Sequence, residues 1–282
     1  MKSIPIIPTG EESSGGEFLE RMEYPCDVMI QGYYRVENVR EIAPNIFVLG
    51  VLAPQIASIV RAGQFVNIKT SNSFIPLLRR PFSIYRVDGE QVEIIFSIVG
   101  QGTQNLSMKK KSEMIDILGP LGNSYGVEEG FDHALLIAGG LGVAPLPLLT
   151  AELRKAGKNI TTLLGARNKS QLVTSHLDNV SVATDDGSMG FHGTVVDLLR
   201  TKLPQLRLGE LKIFSCGPTP MLRSLSRLAA DYSITAEASL EGPMACGIGI
   251  CQGCPVELQN GETKYALVCR EGTVFPTNAI LL

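Results

Sequence analysis

Between residues 33 and 118 the chain runs in short stretches in which β-branched and aromatic residues alternate with polar ones: 33–39, 46–52, 64–69, 81–86, 92–98 and 114–118. Pro, Gly and Asn separate them. An apolar period of two, bounded by turn residues, marks half-buried strands, and six of these predict a small antiparallel barrel. After Gly119-Pro120-Leu121-Gly122 the rhythm changes to strands alternating with helix-length segments: 134–138, 143–154, 160–166, 180–184, 194–202, 211–216, 219–232 and 234–240. That alternation predicts a parallel α/β sheet. A last β-rich run, 263–268, lies in a cysteine-rich C-terminal segment. Residues 1 to 30 show no apolar period and are rich in Gly, Ser, Glu and Pro, so a loose tail or an interface arm is expected there. The expected fold class is β plus α/β, multidomain: a tail over 1–30, a β-barrel over 31–126, an α/β domain over 127–240 and a small module over 241–282. No internal repeat interrupts this order.

Composition narrows the picture. With 282 residues, 44% of them hydrophobic, the chain is globular and long enough for two or three cores. A net charge of -3 and the lack of a basic stripe exclude a nucleic-acid face. The run Lys109-Lys110-Lys111 reads as a solvated turn between two strands. The N-terminus breaks at Pro5 and Pro8 and lacks the apolar core of a secretory signal, so a cytoplasmic protein is expected. Residues 134–151 carry no charge, yet Gly139, Gly140, Gly142, Pro145 and Pro147 punctuate them. A buried strand, a glycine loop and a helix account for them, with no membrane span.

Four of the six cysteines fall within 24 residues: Cys246, Cys251, Cys254 and, after fourteen intervening residues, Cys269. The C-x4-C-x2-C…C spacing is that of a plant-type [2Fe–2S] cluster. Gly247, Gly249 and Gly253 lie between the ligands, where a loop wrapping a cluster has no room for side chains. A zinc knuckle, a disulfide staple and four unrelated buried thiols are the competing readings. Zinc ribbons usually pair two C-x2-C knuckles, and this chain has one.

Three further motifs can hold nucleotides. Arg80-Pro81-Phe82-Ser83 opens a barrel strand with a cation, a stacking surface and a hydroxyl, which suits a flavin, FAD, whose pyrophosphate a guanidinium takes bidentately. Gly100-Gln101-Gly102-Thr103 offers bare amides and a hydroxyl to a second phosphate. Gly139-Gly140-Leu141-Gly142-Val143-Ala144-Pro145 follows an apolar strand and opens a helix, so its amides can face a dinucleotide pyrophosphate. Pro145 stands where the G-x-G-x-x-G fingerprint has its third glycine. Cys216-Gly217-Pro218 repeats the arrangement at a later strand end, which makes Cys216 a candidate neighbour of a nicotinamide or a small buried thiol. Asp185 and Asp186 also follow a strand end; they can meet ribose hydroxyls or simply form a surface turn. Their acidity favours NADH over NADPH.

This order of Arg-Pro-x-Ser barrel, glycine loop, Cys-Gly-Pro and C-terminal cysteines resembles the ferredoxin reductase superfamily. Within it, Ser239-Leu240-Glu241 and the segment from Met244 to Cys254, continued by Tyr265 to Cys269, are most similar to the electron-transfer subunits of class 1B dihydroorotate dehydrogenases. The resemblance covers the chain from Tyr33 to its end. It implies an antiparallel β-barrel FAD domain, a parallel α/β NAD-binding domain and a C-terminal [2Fe–2S] module. It also implies FAD contacts from Arg80, Pro81, Phe82, Ser83, Ile95, Phe96, Ser97, Gly102 and Thr103, and cluster ligation by Cys246, Cys251, Cys254 and Cys269. Gly139, Gly140, Gly142, Asp186, Cys216, Gly217 and Pro218 would then serve NADH, and the partner would be an FMN-containing catalytic subunit in a heterotetramer. The family pattern has a basic residue near Ser97 and another just before Met244, where this chain has Pro243. An NAD(P)H-dependent ferredoxin or sulfide oxidoreductase, or a soluble hydrogenase, has a small subunit of similar plan; such relatives often replace the first cysteine by an acid. A regulatory redox sensor would need neither nucleotide site.

Overall fold

The computed structural model describes residues 29–71, 73–128, 130–206, 210–259 and 263–282. The expected N-terminal tail therefore lies, but for its last two residues, outside the described residues. Six antiparallel strands close a barrel in the order β1-β2-β5-β4-β3-β6: β1 (Ile30–Ala43), β2 (Ile46–Leu52), β3 (Phe65–Lys69), β4 (Arg80–Asp88), β5 (Gln91–Ser97) and β6 (Met114–Leu121). The alternation read from the sequence is what closes it. Tyr34 and Val36 point inward between exposed Tyr33 and Arg35, and Val48, Ile68, Ile84, Ile94 and Ile117 complete the interior. Strand β1 is long enough to pair with β6 at its start and β2 at its end, and a register shift between Val36 and Asn38 lets it turn that corner. Helix α1 (Pro54–Ala57) covers one end of the barrel by burying Ile56.

Helix α2 (Gln101–Ser107) opens at the Gly100-Gln101-Gly102-Thr103 motif, where the apolar pattern predicts no helix. Lys109 to Lys111 follow that helix and precede β6, so the basic turn joins a helix to a strand instead of two strands.

The second layer is a seven-stranded sheet in the order β10-β9-β8-β7-β11-β12-β15. Its parallel strands are β7 (His133–Gly139), β8 (Asn159–Ala166), β9 (Val180–Thr184), β10 (Phe191–His192), β11 (Leu211–Cys216) and β12 (Thr235–Ser239). Helices α3 (Leu146–Lys155), α4 (Val195–Lys202) and α5 (Thr219–Asp231) cover it. In α5, Leu222, Leu225, Leu228 and Ala229 form the buried stripe expected at helical spacing. Helix α3 starts at Leu146, after a 3-10 turn over Gly140–Val143, three residues later than expected because the glycine loop takes the tighter turn first.

The C-terminal segment does not fold apart from the rest. Strands β13 (Pro255–Glu257) and β14 (Tyr265–Leu267) form a small antiparallel pair, while β15 (Val274–Pro276) adds to the large sheet antiparallel to β12. Its apolar residues Val268, Phe275 and Ile280 share one core with Phe65 and Leu121 of the barrel and Leu222 and Ala238 of the sheet. Asn123, just past β6, donates to the carbonyls of Glu271 and Val274 and accepts from the Val274 amide. Among the described residues no helix is long and apolar enough to cross a membrane.

Candidate functional site

The barrel strand β4, the glycine loops after β7 and β11, and the cysteine loop after β12 carry the residues singled out in the sequence. In the cysteine loop the thiols stand in two pairs. Cys254 Sγ lies 3.2 Å from Cys269 Sγ, and Cys246 Sγ accepts from the amide of Cys251 at 3.4 Å. Further N–H···S bonds run from Gly249 to Cys269 at 3.2 Å, from Ile248 to Cys246 at 3.5 Å and from Cys269 to Cys254 at 3.4 Å. Burial opposes ionisation of Cys246, but the amides of Cys251, Ile248 and Ile250 outweigh it and bring that thiol down to about 7. Cys269 goes the other way: burial, with the neighbouring Cys254, pushes it up to about 12. Among the described residues no three of His, Cys, Asp or Glu converge on one ion-sized point. The donors come in twos, each two able to serve one iron of a two-iron centre, and amides already point at the sulfurs that would carry charge. These residues fit a [2Fe–2S] cluster.

At the start of β4 two arginines stand side by side, and the structure separates their roles. Arg79 is committed to the barrel: its Nη2 lies 2.7 Å from Oδ2 of buried Asp116, and its Nη1 donates to the carbonyl of Asp116 at 3.2 Å. Among the described residues Arg80 hydrogen-bonds, through Nη1, to the carbonyls of Leu78 and Arg79 and pairs with no carboxylate. Arg80 is thus the cation available to an anionic group. Beside it, Thr70 Oγ1 is buried without a hydrogen-bond partner, and a Cβ placed on Gly102 would meet that hydroxyl at 3.3 Å and Arg80 Cγ at 3.4 Å. An orphaned hydroxyl, a free guanidinium and a residue with no side chain fit the polar end of a flavin nucleotide.

Ile95 and Phe96 on β5 are both buried. The Phe96 ring stacks on Phe47 at 5.9 Å and meets Phe82 edge-on at the same separation, so the aromatic surface of the motif is braced from behind. Ser83, the fourth residue of β4, and Ser97, the last of β5, are half-buried. The Thr103 hydroxyl accepts from the amides of Val99 and Gly100 and donates to the Gly100 carbonyl, closing the first turn of α2.

The loops after β7 and β11 are packed on each other. A Cβ on Gly142 would lie within the Cys216 carbonyl, and one on Gly139 would meet Met221 Sδ at 2.7 Å. Gly142 is required by backbone contact within the protein, while Gly139 makes room for the Met221 and Pro218 side chains. Gly140 differs: with φ +56 and nothing within 4 Å of its Cβ position, it borders open space that a nucleotide can enter. Gly217 and Pro218 lead into α5, with Pro218 at its N-cap. The Cys216 thiol is fully buried, and desolvation together with the nearby Glu241 carboxylate pushes its pKa far up. It is a small packed thiol at the C-terminal end of β11, between β7 and β12. Asp186 is exposed; hydrogen bonds from the Ser188 hydroxyl and then from the Ser188 amide, which its Oδ1 accepts, lower its pKa and close the turn.

The sequence reasoning missed Glu241. One side of it is open to solvent, but desolvation by the protein around its carboxyl raises its pKa, and its charge acts on Cys216. Only the meeting of the β11 and β12 ends reveals that neighbourhood. Thr70 was missed as well, since nothing local distinguishes a threonine that ends a strand.

A family profile described as the iron–sulfur cluster binding domain of dihydroorotate dehydrogenase B matches residues 241–281. Over most of its length the chain is similar to the dihydroorotate dehydrogenase B (NAD(+)) electron transfer subunit of Bacillus pumilus, at 37% identity over 90% of this chain and 99% of that one. It is 35% identical to the subunit of the same name from Desulforamulus reducens, over 86% of this chain and 95% of that one. Among solved structures it superposes on a chain of the NADH-dependent reduced ferredoxin-NADP oxidoreductase with a TM-score of 0.78 and 28% identity, over 88% of this chain and 89% of that one. Phthalate dioxygenase reductase shares the fold, with a TM-score of 0.60 at 14% identity over 87% of this chain and 96% of that one.

Proposed function

We infer the function from one premise: the chain belongs to the family of dihydroorotate dehydrogenase B electron transfer subunits. It is an oxidoreductase subunit that links NADH, through FAD and a [2Fe–2S] cluster, to an FMN-containing dihydroorotate dehydrogenase catalytic subunit of pyrimidine biosynthesis. Bound FAD would supply the conversion between a two-electron donor and a one-electron carrier. Everything else falls to the chain's own residues. Arg80, with Thr70 and Gly102 beside it, would hold the flavin's diphosphate, while Pro81, Phe82 and Ser83 with Ile95, Phe96 and Ser97 shape the wall behind it. Gly140 leaves the opening for NADH between the loops that Gly139, Gly142 and Gly217 keep close, and Asp186 stands at the rim of the β9 end. The cysteines hold the cluster in two pairs, Cys246 with Cys251 and Cys254 with Cys269. No acid or base is asked to move a proton.

The observation that carries this reading is the pairing of four thiols, surrounded by aimed amides, on a loop packed against both the barrel and the nucleotide sheet. Two apolar surfaces remain exposed and suit a partner subunit in a heterotetramer: Phe74, Ile75, Leu77 and Leu78 before β4, and Ile250 beside Cys251 in the cluster loop. The five described cysteines are all free of disulfides, which supports a reducing compartment such as the cytoplasm.

A second reading rests on the similarity at 28% identity to a ferredoxin-NADP oxidoreductase chain: the same three sites would then serve a small subunit of that kind of complex. Native purification under anaerobic conditions, with mass spectrometry of whatever stays bound, separates the two. An FMN-containing dihydroorotate dehydrogenase is the expected companion. A large flavin and iron–sulfur subunit in its place would move the chain to the second reading.

A further inference from the structure

We propose that Asn67 is a positioning residue that ties the strand system carrying the flavin motif to the first cluster cysteine, and so fixes how the two redox sites are held against each other. Asn67 sits in the middle of β3 and is 1% exposed. Its Cα partners are Pro81 of β4, inside the Arg-Pro-Phe-Ser segment, and Leu118 of β6. From there its Nδ2 donates to the carbonyl of Cys246 at 3.1 Å, across 179 residues of sequence. The next residue, Gly247, lies so close that a Cβ on it would collide with the Asn67 amide nitrogen, and its φ of +71 turns the loop toward that amide. The backbone of Asn67 is held in turn: Arg79 Nη1 reaches its carbonyl at 3.4 Å while the same guanidinium pairs with Asp116.

The other end of the side chain sharpens the argument. Asn67 Oδ1 is buried with no hydrogen-bond partner. Native proteins keep few such atoms, and an apolar residue of similar volume would avoid this one. Among the described residues the hydrogen bond this side-chain amide makes is the one its donor gives to the Cys246 carbonyl. Outer-shell donors of this kind orient the groups that bind a metal centre, and their loss is felt at the centre although they never touch it.

The inference rests on the reading of Cys246, Cys251, Cys254 and Cys269 as a [2Fe–2S] site, and its test keeps the two apart. The full chain would be purified anaerobically as wild type, as Asn67→Leu, which keeps volume but has no donor, and as Asn67→Asp, which keeps shape and replaces the donor. Iron and FAD content, the electron paramagnetic resonance spectrum of the reduced protein, and the rate of iron release to a chelator would be compared. Both variants are expected to retain FAD, to give shifted g-values, and to lose iron about 10–100-fold faster than wild type. If Asn67→Leu does not fold, Asn67→Asp decides. An iron-replete wild type beside variants with its spectrum and its release rate would overturn the role of Asn67 and leave the cluster standing. A wild type that holds no iron would overturn the cluster reading, and the role of Asn67 with it.

Discussion

At the scale of single residues, neighbours in sequence do unlike work, and the difference comes from distant partners. Arg79 and Arg80 are the clearest case. Removing Arg79 strands buried Asp116 and frees two carbonyls, so Arg79→Ala should lose about 3–5 kcal/mol in urea unfolding, the usual penalty for breaking a buried ion pair. Arg80→Ala should unfold close to wild type but release FAD at roughly tenfold to hundredfold higher flavin concentration, read from the fluorescence of free flavin, since a charged hydrogen bond is worth about 1.5–3 kcal/mol. The thiols differ in the same way. In iron-free protein, alkylation at Cys246 should rise with pH through about 7, where its thiolate forms, while Cys269, held near 12 by burial and Cys254, stays unlabelled at neutral pH. Equal labelling in a peptide map would contradict the amide arrangement. The cysteines were legible in the sequence because their spacing is short-range. The separation of Arg79 from Arg80 was not, because Asp116 lies 37 residues away.

Among elements, those with a strong local period were read correctly and those made by packing were not. The six barrel strands and the helices over the sheet follow from alternation and helical spacing, whereas α2 has only seven residues, with Gly100 at its N-cap and Gly102 in its first turn. Strand β15 is three residues long and exists because β12 offers it an edge. The glycine loop after β7 shows how much the motif alone left open. It marked three glycines as one nucleotide site, but the fold gives them two tasks. Gly142→Ala forces a methyl into the Cys216 carbonyl and should cost about 1–3 kcal/mol of stability, the range seen for overpacking. Gly140→Ala places its methyl in open space; φ +56 imposes strain of roughly 1–2 kcal/mol, and the variant should raise the KM for NADH far more than Gly142→Ala does in protein that still folds. Identical kinetics for the two variants would mean that Gly140 does not border the nucleotide.

For the molecule as a whole, the order of barrel, α/β sheet and cysteine module was legible because each leaves its own rhythm or spacing in the chain. Their fusion was not, for it rests on Phe65, Leu121, Leu222 and Phe275 meeting in one core and on Asn123 clasping residues about 150 positions further on. That shared core places the thiol pairs against both nucleotide-binding layers. It also predicts that Cys251→Ser, an exposed loop position, removes the cluster's absorbance and paramagnetic signal while leaving NADH-driven bleaching of the flavin. The most direct test of the account is an anaerobic titration of the FAD-loaded, iron-replete protein with NADH, followed by visible absorbance and electron paramagnetic resonance. Bleaching of the flavin together with the signal of one reduced [2Fe–2S] cluster per chain is the predicted result. Flavin reduction with no paramagnetic cluster signal in that iron-replete protein would contradict it.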